Sequence, residues 1–234
     1  MQLLSLPQEL IFLIADQSRP ADVLHLSQAN RFLCNILLRY LRKRDVNSTG
    51  GMALSFYSYW GYEAQVKEML DAGAQVDIQN PRWRDSTPLV LAISRHHVSV
   101  AQLLLARGAN VNFFHLQAYG RTPLETAILC TPLDDLSMIE LLLDRGADIN
   151  FKGYKSRTPL FTAVMPLIWG QEDLNNPDQV DASCSMIRFL IDRGADVNAQ
   201  DSEGRTPIAL NLHGNQQRRQ CLIEGGAWEE RELH

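Results

Sequence analysis

Two short sequence words alternate along most of the chain at nearly constant spacing. Thr-Pro followed by Leu or Ile begins at Thr87, Thr122, Thr158 and Thr206, and Gly-Ala begins at Gly73, Gly108, Gly146, Gly194 and Gly226. Each Gly-Ala follows an apolar run such as Leu141-Leu142-Leu143. Self-similarity at such a period indicates a stack of helical repeats, because one unit alone cannot bury its own apolar face.

The unit that runs from Thr122 to Asn150 shows why the words recur. The Thr122 hydroxyl is suited to N-cap a helix, and Pro123 suits the first helical position, where no backbone donor is lost. The apolar residues that follow are three and four positions apart and share one helix face: Leu124, Ala127 and Ile128. A second apolar helix then ends at Gly146, because glycine adopts the left-handed conformation without steric cost. The polar stretch before the next Thr-Pro predicts an extended finger or hairpin.

These words, in phase along the chain, resemble those of the ankyrin repeat. The resemblance implies an all-α solenoid of about five repeats, with a degenerate first repeat that starts near Met52 and turns at Gly61-Tyr62. The predicted repeats cover 52–84, 85–119, 120–155, 156–203 and 204–234. The fourth carries an acidic, loop-like insertion at 167–183, and about three residues are added near Thr131. The position after Thr-Pro-Leu, often His in the family, holds Ser55, Val90, Glu125, Phe161 and Ala209.

Charge and cysteine content restrict the kinds of partner. A formal net charge of −5 argues against a general binder of nucleic acid or of acidic membranes. No apolar run reaches the length of a membrane span, about 18 residues. The four cysteines lie far apart without a Cys-x-x-Cys pair, which is typical of reduced thiols and predicts a cytoplasmic or nuclear location without zinc. We expect no metal and no cofactor.

Residues 1–44 repeat nothing downstream and predict three short helices. A helix start at Ser5-Leu6-Pro7-Gln8 is followed by a break at Ser18-Arg19-Pro20 and by a third apolar stretch that ends near Leu41. Because a bundle of this size has little core of its own, a binding partner is expected. The Gly- and Ser-containing stretch within 45–51 predicts a linker.

The order of residues in this segment resembles the F-box. Leu6-Pro7-Gln8-Glu9-Leu10 is similar to its opening motif, and the stretch from Asp22 to Arg31 is similar to its second motif. The resemblance implies docking onto the Skp-type adaptor of a cullin–RING ubiquitin ligase through a face made of Leu6, Pro7, Leu10, Ile14, Val23 and Leu26. The alternative is that the same apolar residues only cap the open end of the repeat stack.

Three predicted fingers carry aromatic and basic residues, which are enriched in protein interfaces. They are Asn80–Asp85, Phe113–Tyr119 and Phe151–Lys155. We expect them to bind an acidic, partly apolar protein segment through Arg82, Trp83, Arg84, Phe114, Tyr119, Lys152, Tyr154 and Lys155. For Phe113 and Phe151, which follow the Asn of the Gly-Ala word, packing inside the turn is an equal alternative.

Motifs for chemistry are weak in this sequence. It contains neither a Gly-rich phosphate loop nor a Gly-x-Ser-x-Gly nucleophile motif. His96-His97 falls at a predicted inter-helix turn, which favours a surface role over catalysis. Asp173, Asn175 and Asp181 lack the central Gly and closing Glu of a calcium loop, so a solvated insertion is favoured there.

The sequence therefore predicts a non-enzymatic, protein-binding adaptor. Residues 1–44 would recruit a ubiquitin ligase of the SCF type, and the repeats would hold its target protein. The alternative is an ankyrin scaffold or inhibitor with a helical cap and no link to ubiquitin.

Overall fold

The computed structural model describes residues 52–80, 83–114, 120–130, 135–165, 177–210 and 216–228, without the side chains of Met52 and 177–182. The predicted F-box-like segment 1–44 and linker 45–51 lie outside these ranges, so the predictions made for them remain predictions.

Five pairs of helices lie within the described ranges. The bounds of each pair are, in chain order, α1 Met52–Trp60 with α2 Glu63–Asp71; α3 Pro88–Ser94 with α4 Val98–Ala106; α5 Pro123–Cys130 with α6 Ser137–Asp144; α7 Pro159–Val164 with α8 Pro177–Asp192; and α9 Pro207–Leu210 with α10 Gln216–Glu224. Every regular element in these ranges is helical, apart from one isolated antiparallel bridge between Asn80 and Ser86. The predicted all-α class is therefore confirmed.

The pairs stack so that the first helix of each packs on the first helix of the next. Helices α1, α3, α5, α7 and α9 follow one another in this layer, while α2 packs on α4, α4 on α6, and α8 on α10. The contacts between helices are filled by fully buried side chains of the Thr-Pro-Leu words, among them Leu89, Leu124 and Leu160. Ala92 and Ala127 are also fully buried, and their small size lets neighbouring first helices approach closely.

Hydrogen bonds at the helix starts follow the sequence prediction in part. Thr122 Oγ1 accepts a bond from the Glu125 amide at 3.2 Å, and the Glu125 carboxylate accepts one from the Thr122 amide at 2.8 Å. These reciprocal bonds form a capping box. Thr87 caps α3 more weakly, at 3.4 Å from the Val90 amide. Among the described residues, the Thr158 and Thr206 hydroxyls are buried without a partner, so there only the proline marks the helix start.

The turns inside the repeats also match the prediction. Gly61 lies between α1 and α2 with a φ of +73°, and an added Cβ there would come 2.6 Å from Nδ1 of His97. His97 Nε2 donates to the Tyr59 carbonyl at 3.1 Å, which ties the second repeat to the first. Its neighbour His96 lies 2.8 Å from Asp135 of the third repeat. The His96-His97 pair thus connects three repeats through a surface turn.

The insertion in the fourth repeat differs from the sequence prediction. Residues 177–183, which we predicted to be loop-like, form the first two turns of the 16-residue helix α8. Pro177 stands at the helix start, where its fixed φ suits a helix and its missing N–H removes no bond. The loop prediction was therefore wrong for 177–183, while 167–176 lies outside the described ranges. Of the three candidate calcium ligands, Asp181 lies within this helix.

Candidate protein-binding surface

The fingers connect the second helix of one repeat to the Thr-Pro of the next, and asparagine side chains hold their bases. Asn150 Nδ2 donates to the Gly194 carbonyl at 3.0 Å, and its Oδ1 accepts from the Asp196 amide at 2.8 Å. Asn112 forms the same two bonds with Gly146 and Asp148, and Asn198 forms them with Gly226 and Trp228. This asparagine ladder was not predicted, although each Asn stands four residues after the Gly of a Gly-Ala word.

Finger 3, defined here as residues 151–157, presents its predicted binding residues to solvent. Its tip is a tight turn at Tyr154–Ser156 in which Lys155 is left-handed, with φ 57° and ψ 29°. The turn is closed by bonds from the Ser156 amide to the Gly153 carbonyl at 3.0 Å and from the Gly153 amide to the Arg157 carbonyl at 2.9 Å. Tyr154 is 61% exposed, and Lys152 and Lys155 are exposed as well. An exposed aromatic ring with two exposed lysines in the same finger is suited to contact an acidic, partly apolar partner.

Finger 1, residues 80–86, carries a similar tip with a different aromatic side chain. The Ser86 amide donates to the Trp83 carbonyl at 3.0 Å, and the Asp85 amide donates to the Asn80 carbonyl at 2.9 Å. Arg84 is exposed, but Trp83 is half-buried and stacks on the Tyr59 ring of α1 at 5.6 Å between centroids. Trp83 is therefore held against α1 and is only partly accessible to a binding partner.

The predicted aromatic residues of finger 2, residues 113–120, are only in part described. Phe114 and Phe151 are half-buried and pack together with ring centroids 5.2 Å apart, which joins finger 2 to finger 3. Phe113 is also half-buried. Packing inside the turn, the alternative given for Phe113 and Phe151, therefore accounts for much of their surface. The predicted binding residues Arg82 and Tyr119 lie outside the described ranges.

A second aromatic surface at the end of α1 was not predicted. Trp60 and Tyr62 are 42% and 41% exposed, and both lie beside the buried Phe56 ring, at 6.2 and 6.4 Å. The Arg95 guanidinium lies over the Tyr59 ring, 4.7 Å from its centroid. Trp83 stacks on the same Tyr59 ring. The sequence signal was present, since 56–62 contains five aromatic residues, but its position within a helix and turn drew no prediction.

Finger 4, residues 199–205, is organised around a buried carboxylate. Asp201 accepts bonds from the backbone amides of Glu203 and Arg205 and from the Arg205 guanidinium at 2.9 Å. Arg157 of finger 3 also reaches it, at 3.4 Å. Burial alone would raise the pKa of Asp201, but these hydrogen bonds and the Arg205 charge outweigh it and lower the pKa to about 2. No role was predicted for this residue from the sequence.

A second buried carboxylate, Glu125, lies beneath fingers 2 and 3. Burial raises the pKa of Glu125, and the bonds from Thr122 oppose this only in part. An added Cβ on Gly153 would come 3.3 Å from both carboxylate oxygens, so finger 3 lies directly against Glu125. At the position where many ankyrin repeats carry His, this chain thus uses a carboxylate that caps its own helix.

In the described part of the chain, no three His, Cys, Asp or Glu side chains come together as a possible metal site. The helices of these ranges are all too short or too polar to cross a bilayer. Cys184 and Cys221 are buried free thiols, and burial with the neighbouring Cys221 raises the pKa of Cys184 to about 12, which disfavours a reactive thiolate.

Comparison with known proteins agrees with this architecture. Residues 54–153 match the family model described as Ankyrin repeats (3 copies). No curated protein matches the chain. Ankyrin repeats are protein-interaction modules, so the match assigns a protein-binding role to this part of the chain. Residues 54–153 are ankyrin repeats, within a helical solenoid that continues through the later helix pairs.

Proposed function

We propose that the chain is a non-enzymatic adaptor whose repeat stack binds a protein through its fingers. The observation that carries this proposal is the exposed tip of finger 3, where Tyr154, Lys152 and Lys155 face solvent on a rigid, hydrogen-bonded base. Half-buried Phe114 and Phe151 extend the apolar part of the surface beside it. Binding residues held on a rigid scaffold lose little entropy when a partner binds.

The finer proposal is that the adaptor serves an SCF-type ubiquitin ligase. It rests on the sequence of residues 1–44, where Leu6-Pro7 and the stretch from Asp22 to Arg31 resemble an F-box. Under this proposal Leu6, Pro7 and Leu10 dock a Skp-type adaptor, and the repeats hold the protein to be ubiquitinated. Such a role places the protein in the cytoplasm or nucleus.

An alternative function is a protein-binding scaffold or inhibitor whose amino-terminal residues only cap the repeats. Six consecutive residues of α1, Ala53–Ser58, are buried, so this part of the helix has no face in water. The first helix of an uncapped stack would leave one side exposed. This observation favours a capped stack, and it is compatible with docking if the cap retains a further apolar face.

The two functions are distinguished by direct binding of the full chain to a purified Skp-type adaptor, measured by calorimetry. The SCF proposal predicts saturable binding that is lost in L6A/P7A and retained in Q8A, which changes a polar position of the same motif. Urea unfolding of each variant separates lost docking from lost folding. If L6A/P7A unfolds at lower urea and the chain never binds the adaptor, the capping function is supported and the SCF function is wrong.

A further inference from the structure

Fingers 1 and 3 share an unusual backbone at their tips. Arg84 and Asp85 have φ angles of 53° and 58°, and Lys155 and Ser156 have φ angles of 57° and 56°. In each finger these two left-handed residues follow an aromatic residue, whose carbonyl accepts a bond from the amide three residues later, as in a type I′ turn. Such turns favour Gly, Asn and Asp, so Arg84, Lys155 and Ser156 are unexpected there.

The left-handed backbone costs stability at these positions. A non-glycine residue in this region costs about 1–2 kcal/mol, so each tip stores strain that a glycine would relieve. Finger 4 has Gly204 at the position of Ser156, and Gly204 is the only residue of finger 4 with a positive φ. Strain that persists where glycine is readily available points to a function of the side chains present.

Each strained tip places one basic side chain in solvent beside one aromatic ring. Arg84 and Lys155 are both exposed, next to Trp83 and Tyr154. The chain as a whole carries a net charge of −5, so cationic fingertips stand out against an acidic protein. A partner segment with local negative charge is therefore attracted to the two tips.

The chain itself supplies an example of the group that these tips accept. Lys155 Nζ lies 3.4 Å from Glu203, and both side chains are about half exposed. Glu203 is also held by Arg205 at 2.8 Å, so it has a second cation when Lys155 turns to a partner. A carboxylate is therefore the chemistry that Lys155 already binds in the free protein.

The stacking of the helices sets the distance between the two tips. Finger 1 precedes α3 and finger 3 precedes α7, and α5 lies between them in the layer of first helices. Neighbouring helix axes are about 8–10 Å apart, which puts the tips roughly 16–20 Å apart. An extended chain rises about 3.3 Å per residue, so it spans this distance in about five or six residues. The half-buried Phe114–Phe151 pair provides apolar surface for a side chain between the two ends.

We infer that fingers 1 and 3 act together and bind an extended acidic segment with two carboxylate side chains about five or six residues apart. One carboxylate pairs with Arg84, the other pairs with Lys155, and an apolar residue between them contacts the rings of Phe114 and Phe151. This inference rests on the proposed protein-binding function and adds the charge, conformation and spacing of the bound segment.

The experiment uses the full chain and a series of synthetic fluorescent peptides, read by anisotropy. Each peptide carries two Glu residues and a central Leu in a Ser-Thr background, with the Glu separation varied from about two to about ten residues. We expect affinity to peak near five or six. R84A and K155A should each weaken binding of the best peptide about threefold to fivefold, because exposed ion pairs contribute modestly. R107A, which alters an exposed arginine paired with Asp71 in the layer of second helices, is the matched control.

The outcomes separate this inference from the proposed function. A peak in affinity that disappears in R84A and in K155A, but not in R107A, supports two-point binding. Equal affinity at every Glu separation, or an equal loss of affinity in R107A, overturns the inference. The tips would then attract acidic peptides only by nonspecific electrostatics. The absence of any peptide binding also overturns it. None of these results removes the Skp-type docking of residues 1–44, which the calorimetric experiment tests independently.

Discussion

Fingers 3 and 4 are neighbours with the same length and register, but their tips are built differently. Gly146 to Thr158 and Gly194 to Thr206 each span 12 positions. Both fingers close with the same bond, at 2.9 Å, from Gly153 to Arg157 and from Asp201 to Arg205. The tips nevertheless follow different backbone paths, because Lys155 and Ser156 of finger 3 are both left-handed, whereas in finger 4 only Gly204 is.

The residues of finger 4 mainly stabilise finger 4 itself. A buried carboxylate gathers the backbone amides and a guanidinium, and glycine takes the left-handed position. Finger 3 has Gly153 where finger 4 has Asp201, and Ser156 where finger 4 has Gly204. It keeps its strained shape in part because the Ser202 amide of finger 4 donates to the Lys155 carbonyl at 2.8 Å. A stable finger thus supports a strained one, and only the strained finger exposes an aromatic and basic tip.

The largest expected effect comes from the buried carboxylate of finger 4. D201N replaces a carboxylate that accepts several hydrogen bonds with an amide, whose NH₂ group would face hydrogen-bond donors. We therefore expect a loss of about 2–3 kcal/mol in the free energy of unfolding. Because the folded pKa of about 2 lies below the ordinary 3.8, the wild-type contribution is present above pH 4 and is lost as pH falls toward 2. Urea unfolding at pH 7 and in acid should show the difference shrink with falling pH.

The control for D201N is D144N, which alters an exposed aspartate paired with Arg193 at 3.5 Å. We expect that variant to lie within about 0.5 kcal/mol of wild type at pH 7. If D201N and D144N behave alike, Asp201 does not organise finger 4, and the contrast between the two fingers is wrong.

A smaller effect is expected from the asparagine ladder, which both fingers share. N150A removes a donor to Gly194 and an acceptor from Asp196 at the base of finger 3, so unfolding free energy should fall by about 1–2 kcal/mol. N150D keeps the acceptor and loses the donor, as Asp77 does in the first repeat, and should lose about half as much. Thermal unfolding of both variants measures these losses. N198A, the equivalent change at the base of finger 4, shows whether the two fingers lose the same stability. An N150D loss as large as that of N150A would show that the donor bond alone matters.

An exchange of glycine between the two tips tests the strain directly. S156G should raise the free energy of unfolding by about 1 kcal/mol, and G204S should lower it by a similar amount, because an added Cβ at Gly204 meets nothing within 4 Å and only the φ is strained. Chemical denaturation of the two variants and of the double exchange S156G/G204S provides the measurement. A neutral S156G would mean that finger 3 is not strained, which removes one support of the two-point inference.

Much of the fold follows from the sequence because helix ends have local causes. Thr-Pro, Gly-Ala and the apolar spacing between them predict the helix pairs from α1 to α10, and Thr122 caps its helix as expected. The stack of Trp83 on Tyr59 could not be predicted, since it joins a finger to a helix 24 positions earlier and depends on how the repeats pack. The loop prediction for residues 177–183 was wrong because their polar composition indicated a loop, although Pro177 is a helix-start signal like Pro123.

The residue types of the candidate binding surface could be predicted from the sequence, but the exposure of each side chain could be predicted less well. The prediction grouped Tyr154, Lys155 and Trp83 by residue type alone. The structure separates exposed Tyr154 from half-buried Trp83, because the Trp83 ring stacks on Tyr59 of α1. The ladder formed by Asn112, Asn150 and Asn198 could have been predicted, because each Asn stands at the same distance after a Gly-Ala motif. Asp201 belongs to no such repeating pattern.

The smallest expected change in stability concerns Glu203, the carboxylate that Lys155 meets in the free protein. E203A removes exposed ion pairs to Lys155 and Arg205, so unfolding free energy should change by no more than about 0.5 kcal/mol. Binding of the acidic peptide should nevertheless strengthen by about twofold, because the partner's carboxylate no longer competes for Lys155. Glu224, at the end of α10, is the exposed partner of Arg188 on α8. E224A removes this partner and should leave peptide affinity unchanged. Since E203A and E224A lower the negative charge equally, tighter binding in both would reflect net charge, and tighter binding in E203A alone would place the partner's carboxylate at Lys155.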